Sequence, residues 1–202
     1  MDEKDAFRGT TTVGIVTKDA LIFAAERKVT YGHMDLSETP RIFKLDDTIA
    51  ITTSGLLGDL QAIVRILTAN VNLIKLEKGS VSVRAVAKFT ANFLHQRKMF
   101  PYLTELLIGG VDEKPELYTL DIVGGTSIED SFAATGSGLT FAYGVLEAHY
   151  KESLSIEDAQ NLALRALKSA IRRDVTSGGT IDIITITKKG FETKEIPQAL
   201  PA

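Results

Sequence analysis

Strand-like and helix-like stretches of this 202-residue chain come in blocks and do not alternate, and that order constrains the fold more than any single motif. TTTVGIVT (10–17) is rich in β-branched residues and ALIFAAE (20–26) follows the turn Lys18-Asp19, which predicts a hairpin. A loop with Gly32, Ser37 and Pro40 leads to RIFKL (41–45) and DTIAITTSG (47–55), so four successive strands predict an antiparallel sheet. From Leu57 the period changes: Leu60, Ile63, Val64, Leu67, Val71 and Ile74 fall at helical spacing up to Gly79, and a second helix starts at Ser80 and ends before Pro101. TELLIGGV (104–111) and ELYTLDIVG (116–124) form a second hairpin, and SFAAT (131–135) is a further strand. A second helix pair covers 139–150 and 156–172, the latter capped by Ser155 with Asp158 three residues on. The strand IDIITITK (181–188) and a charged, Pro-containing tail close the chain. Strands in blocks and helices in pairs exclude the regular alternation of a doubly wound parallel sheet and predict two sheets flanked by helix layers.

At 21.9 kDa the chain fits one domain, placed at residues 10–192 between a patternless leader (1–9) and a tail (193–202). Hydrophobic residues make up 44% and charged ones 24%, which excludes a disordered chain, and the sequence lacks the uncharged run of a membrane span. The 26 acidic and 23 basic residues are dispersed, so no basic stripe exists for nucleic acid. Without cysteine the chain has no disulfide, thiolate metal site or cysteine nucleophile. The opening MDEKD lacks the regions of a signal peptide, and the expected compartment is the cytoplasm.

Conventional catalytic patterns are missing. His33, His95 and His149 are scattered, with no second ligand at i+3 or i+4. The glycine pairs at 109–110, 124–125 and 178–179 do not form a phosphate-binding loop. Ser137 in TGSGLT lacks the GxSxG spacing of a nucleophile elbow, so by its neighbours alone it marks a glycine-rich helix entry.

Five separated features carry more information together than singly: Gly9-Thr10, Ala25-Glu26-Arg27-Lys28, Thr53-Ser54-Gly55, Thr135-Gly136-Ser137-Gly138, and Arg173-Asp174-Val175-Thr176-Ser177-Gly178-Gly179. In this order the chain resembles, from Thr10 to about Phe191, the proteasome β-subunit family of N-terminal-nucleophile hydrolases, of archaeal type. The resemblance implies an α+β fold, a four-layer αββα sandwich of two antiparallel sheets flanked by helix pairs. It makes Thr10 the catalytic residue and mature N-terminus, freed when the Gly9-Thr10 bond cleaves itself. A free α-amine has an ordinary pKa of about 7.7–8.0, so one threonine supplies both the hydroxyl nucleophile and the general base. By the same resemblance Glu26 is the carboxylate that orients a cation beside the nucleophile. Ser137, Asp174 and Ser177 hydrogen-bond around the amine, and Gly55 offers the backbone N–H of the oxyanion site, where a side chain would crowd the tetrahedral intermediate.

One position departs from the family pattern. The catalytic lysine's register falls on Arg41 in Pro40-Arg41-Ile42-Phe43-Lys44, behind a loop about one residue shorter than usual. Arginine can keep an ion pair with Glu26 but does not exchange a proton. Lys44, three residues along a strand, falls on the opposite face, and Lys28 is the other nearby cation. Substrate-pocket residues by resemblance are Val29, Thr30, Thr53 and Leu57, with Val29 and Leu57 favouring apolar side chains. The implied partners are proteasome α-subunits, other β-subunits in a heptameric ring, unfolded polypeptide substrates, and an ATPase regulator acting through the α-ring, with no cofactor, no nucleic acid and no membrane. The alternatives are a structural β-subunit that completes the ring and keeps its propeptide, or another N-terminal-nucleophile hydrolase, such as a self-compartmentalising bacterial protease with a different motif order.

Overall fold

A computed structural model describes residues 9–31 and 34–197; residues 1–8, Gly32, His33 and residues 198–202 lie outside the described residues. Two five-stranded antiparallel sheets face each other. The first has β1 (Thr11–Val16), β2 (Leu21–Glu26), β10 (Phe132–Gly136), β11 (Ile181–Thr187) and β12 (Gly190–Ile196) in the order β10-β1-β2-β11-β12. The second has β5 (Ile42–Lys44), β6 (Ile49–Gly55), β7 (Thr104–Val111), β8 (Pro115–Leu120) and β9 (Thr126–Glu129) in sequence order. Helices α1 (Leu57–Lys78) and α2 (Val83–Gln96) cover the second sheet, and α3 (Leu139–His149) and α4 (Ile156–Arg173) cover the first. The αββα sandwich is therefore the observed fold.

Alternation along the strands builds three apolar layers. On β2, Ile22 and Ala24 pack with Leu146, Leu162 and Leu167 of the α3–α4 layer, whereas Leu21, Phe23 and Ala25 face the other sheet with Leu107 and Leu117. On β7, Leu106 and Ile108 turn instead towards Ile63, Leu67 and Val86 of α1 and α2.

Four departures from the sequence reading have local causes. The first four predicted strands do not share a sheet, because β1–β2 and β5–β6 pair in different layers. The loop before Arg41 contains a bulged hairpin, β3 (Lys28–Tyr31) and β4 (Met34–Glu38), whose strands of four and five residues are too short and too exposed to register as a buried-strand pattern. Ser82, not Ser80, caps α2 by accepting the Ala85 amide at 3.2 Å. Finally, β12 continues to Ile196, past the boundary read at residue 192, since its charged residues pair along the sheet edge with β11.

Candidate active site

β2 ends on Glu26, which follows Ile22 and Ala24 on a fully buried face and is itself fully buried. Its two carboxylate oxygens accept the backbone amides of Thr11 and Lys28, each at 2.8 Å. Burial pushes the carboxyl up to about 7, against the opposing pull of the Gly178, Lys28 and Thr11 amides and the charge of Arg41. Among the described residues no ion pair within 4 Å joins Glu26 to Arg41, so the expected direct pair is absent: the carboxylate oxygens are turned to main-chain donors.

Arg41 is 2% exposed and donates from Nη2 to the carbonyl oxygen of Lys28 at 3.1 Å. Its Nε and Nη1 have no hydrogen-bond partner among the described residues, and burial pulls its guanidinium below the usual range while Glu26 opposes that shift. The Thr10 hydroxyl donates to the same Lys28 carbonyl at 3.2 Å. Thr10 and Arg41 thus converge on one acceptor. Neither fallback lysine joins them: Lys44 Nζ lies 4.8 Å over the Phe191 ring, and Lys28 Nζ is held by the Val175 carbonyl at 3.0 Å and Asp35 at 2.8 Å.

Thr10 sits at φ +79°, a left-handed conformation strained for a β-branched residue. Neighbours impose it. Ser137 donates its amide to the Thr10 carbonyl at 3.2 Å, and Gly136, at φ +97°, lies so close that a Cβ there would sit 1.8 Å from that oxygen. A Cβ on Gly9 would lie 3.6 Å from Thr30 Oγ1 and 3.9 Å from the Thr176 carbonyl, so Gly9 enters between β3 and the loop after α4.

That loop assembles the remaining polar network. Asp174 ends α4 and accepts the hydroxyls of Ser137 and of Ser177, the latter at 2.7 Å, while Thr176 donates both its amide (3.0 Å) and its hydroxyl (2.8 Å). Burial alone would raise the Asp174 pKa, but these hydrogen bonds outweigh it and hold the carboxylate below its usual range. Ser177 Oγ meets Thr11 Oγ1 at 2.8 Å, and Thr11 Oγ1 accepts the Gly138 amide at 3.1 Å. Sequence reasoning assigns no role to Thr11 or Thr176, although both flank motif residues.

Gly55 stands at the end of β6 with φ +117°, and a Cβ there would meet the Leu103 carbonyl oxygen at 2.3 Å and Thr104 Cα at 2.9 Å. The neighbouring strand β7 therefore demands glycine, independently of any room needed for an intermediate. Of the expected pocket residues, Val29 and Thr30 flank the β3 bulge, Thr53 is fully buried with its hydroxyl unpartnered among the described residues, and Leu57 begins α1. His95 and His149 meet the carbonyls of Val123 and Val145, away from this network.

The sequence model of the proteasome subunit family matches residues 6–186. The chain is 46% identical to the proteasome subunit beta of Methanocaldococcus vulcanius over 192 residues, covering 93% of this chain and 86% of that protein. It is 44% identical to proteasome subunit beta 1 of Thermococcus onnurineus over 93% of each chain, and 39% identical to the proteasome subunit beta of Methanosarcina barkeri over the full length of both. Similarity of this depth along almost the whole chain leaves one assignment: the protein belongs to the proteasome β-subunit family.

Proposed function

We propose that this chain is a β-subunit of a proteasome core particle built for threonine-type hydrolysis of unfolded polypeptides, with its own chemistry impaired by Arg41. The observation that carries this reading is the shared acceptor: the Thr10 hydroxyl and Arg41 Nη2 both end on the Lys28 carbonyl, at 3.2 and 3.1 Å. A carbonyl oxygen is no base, and a guanidinium has no proton to exchange at neutral pH. Self-cleavage needs Thr10 Oγ to bond the Gly9 carbonyl carbon while the Gly9–Thr10 C–N bond breaks and the nitrogen takes up a proton. Water then splits the resulting ester, leaving a Gly9 carboxylate and a free Thr10 amine and hydroxyl. Lysine in place of Arg41 would supply the missing exchange.

The same chain supports a second reading, a structural β-subunit that completes the ring and keeps its leader. It is favoured by the direction of Glu26, whose oxygens serve the Thr11 and Lys28 amides and offer Thr10 no proton route. Under both readings the partners are α-type subunits and further β-subunits in a heptameric ring, reached by a regulatory ATPase through the α-ring, in the cytoplasm. Exposed Leu76, Met99 and Phe100 near the ends of α1 and α2, and Tyr31, Met34 and Leu36 on the β3–β4 hairpin, are apolar side chains suited to subunit contacts. No described helix is long and apolar enough to cross a membrane. Peptide hydrolysis by Arg41→Lys particles, against wild type and a Thr10→Ala control, tests the chemistry. Sizing of the chain co-expressed with α-type subunits tests the assembly, which a persistent monomer would refute.

A further inference from the structure

Glu105 breaks the pattern of its strand. On β7, Leu107 faces the opposite sheet while Leu106 and Ile108 face the helices, so alternation puts Glu105 on the inter-sheet side with Leu107. Its register partner Ser54 shows the same orientation, donating its hydroxyl to Thr135 of the facing sheet at 3.2 Å. A half-buried carboxylate at an inward position is costly unless its acceptors are used. Here one is: Glu105 Oε2 accepts the Gly136 amide at 3.1 Å. β10 is an edge strand, so an outward amide at its end has no further strand to bond.

Gly136 is also the residue that closes on Thr10. Its left-handed backbone stands against the Thr10 carbonyl, and the next amide, from Ser137, donates to that carbonyl at 3.2 Å. The two successive amides of this turn therefore tie Thr10 to Glu105: one points to the carboxylate on the second sheet, the other to the nucleophile residue on the first. We infer that Glu105 is a positioning residue for Thr10, holding the Gly136–Ser137 turn so that the Thr10 main chain keeps its place in self-cleavage and in peptide hydrolysis. The link survives cleavage, since the Thr10 carbonyl is retained in the processed chain. Glu105 itself touches neither the Thr10 hydroxyl nor its nitrogen; its effect passes through the turn.

This inference deepens the proposed hydrolytic reading and rests on it for its activity arm. In particles carrying Arg41→Lys, Glu105→Ala is expected to lower kcat for a fluorogenic peptide by about tenfold or more with KM within about twofold, because misplacement of a reacting group acts on turnover. Glu105→Gln keeps an acceptor oxygen and is expected to restore kcat to within about threefold of the parent. Hydrogen exchange of the Gly136 and Ser137 amides, followed in assembled particles that keep Arg41, is expected to accelerate at least tenfold with Glu105→Ala and not with Glu105→Gln, with Leu106–Gly110 unchanged. Equal losses in both variants, unchanged kcat, or unchanged exchange at Gly136 would overturn the role of Glu105. If Arg41→Lys particles are inactive, the proton-path reading fails, and exchange at Gly136 alone decides for or against Glu105.

Discussion

The Thr10 hydroxyl and the Arg41 guanidinium meet on a single atom, the carbonyl oxygen of Lys28, at 3.2 and 3.1 Å. Arg41 thereby holds the main chain beside Thr10 without being hydrogen-bonded to Thr10 itself. The long guanidinium reaches the main chain and leaves Nε and Nη1 unpartnered among the described residues. A shorter, rotatable ammonium at this position has three donors on one centre and can share a proton.

Arg41→Lys is therefore expected to raise peptide hydrolysis at least tenfold, equivalent to about 1.4 kcal/mol of barrier and at the lower end of general acid–base contributions. Adding Thr10→Ala should abolish the gain by removing the hydroxyl. Rapid hydrolysis by wild type, unchanged in the lysine variant, would show that Arg41 does not limit the reaction.

Leader processing follows the same logic. In particles made solely of this β-subunit, intact mass is expected to include MDEKDAFRG, and the Arg41→Lys variant should lose it to begin at Thr10. The φ of +79° at Thr10 gives the precursor about 1–3 kcal/mol of backbone strain that favours breakage once a proton path exists. A clean Thr10 terminus in wild-type particles of this composition would count against the impaired reading.

Much of this arrangement is legible in the chain before any geometry. Periodicity marks the helix pairs, and the family resemblance, not any local turn signal, groups Ser137, Asp174 and Ser177. What escapes is everything set by pairing between distant strands. Glu105 has no local signature: its meaning comes from Gly136 on the other sheet, 31 residues away. The β3–β4 hairpin has short strands and a bulge, so neither period shows. Arg41 is found by register, but its hydrogen bond to Lys28 in place of a contact with Glu26 depends on Glu26 already being occupied by two amides.

Gly55 and Gly58 form a matched pair three residues apart. Gly55→Ala is expected to destabilise the chain by roughly 2–5 kcal/mol, combining the strained backbone with overpacking against β7. Gly58 lies in the first turn of α1, where an added methyl group would meet nothing within 4 Å, and Gly58→Ala should stabilise by up to about 1 kcal/mol through helix propensity. Chemical denaturation of the two variants checks both signs, and a neutral Gly55→Ala would mean that Leu103 and Thr104 move freely away from residue 55.

Glu26 sets the pH dependence of stability. Burial raises its pKa from 4.5 to about 7, so between these values the native chain holds a proton that the unfolded chain has released. Stability then falls as pH rises through this window, is fully favoured below about 4.5, and levels off above about 7. At roughly 1.4 kcal/mol per unit, the total is on the order of 3 kcal/mol. Asp112, also raised by burial, contributes with the same sign, which makes the comparison with a variant necessary. Glu26→Gln cannot ionise and keeps one acceptor oxygen for the two amides of Thr11 and Lys28, so it carries a constant penalty. Its stability relative to wild type should therefore improve from pH 5 to about pH 7 and stay level from there to pH 8. Denaturation curves that stay parallel across that range would show that the Glu26 carboxyl is already ionised at pH 5 in the native chain, held so by the amides and Arg41 against its burial.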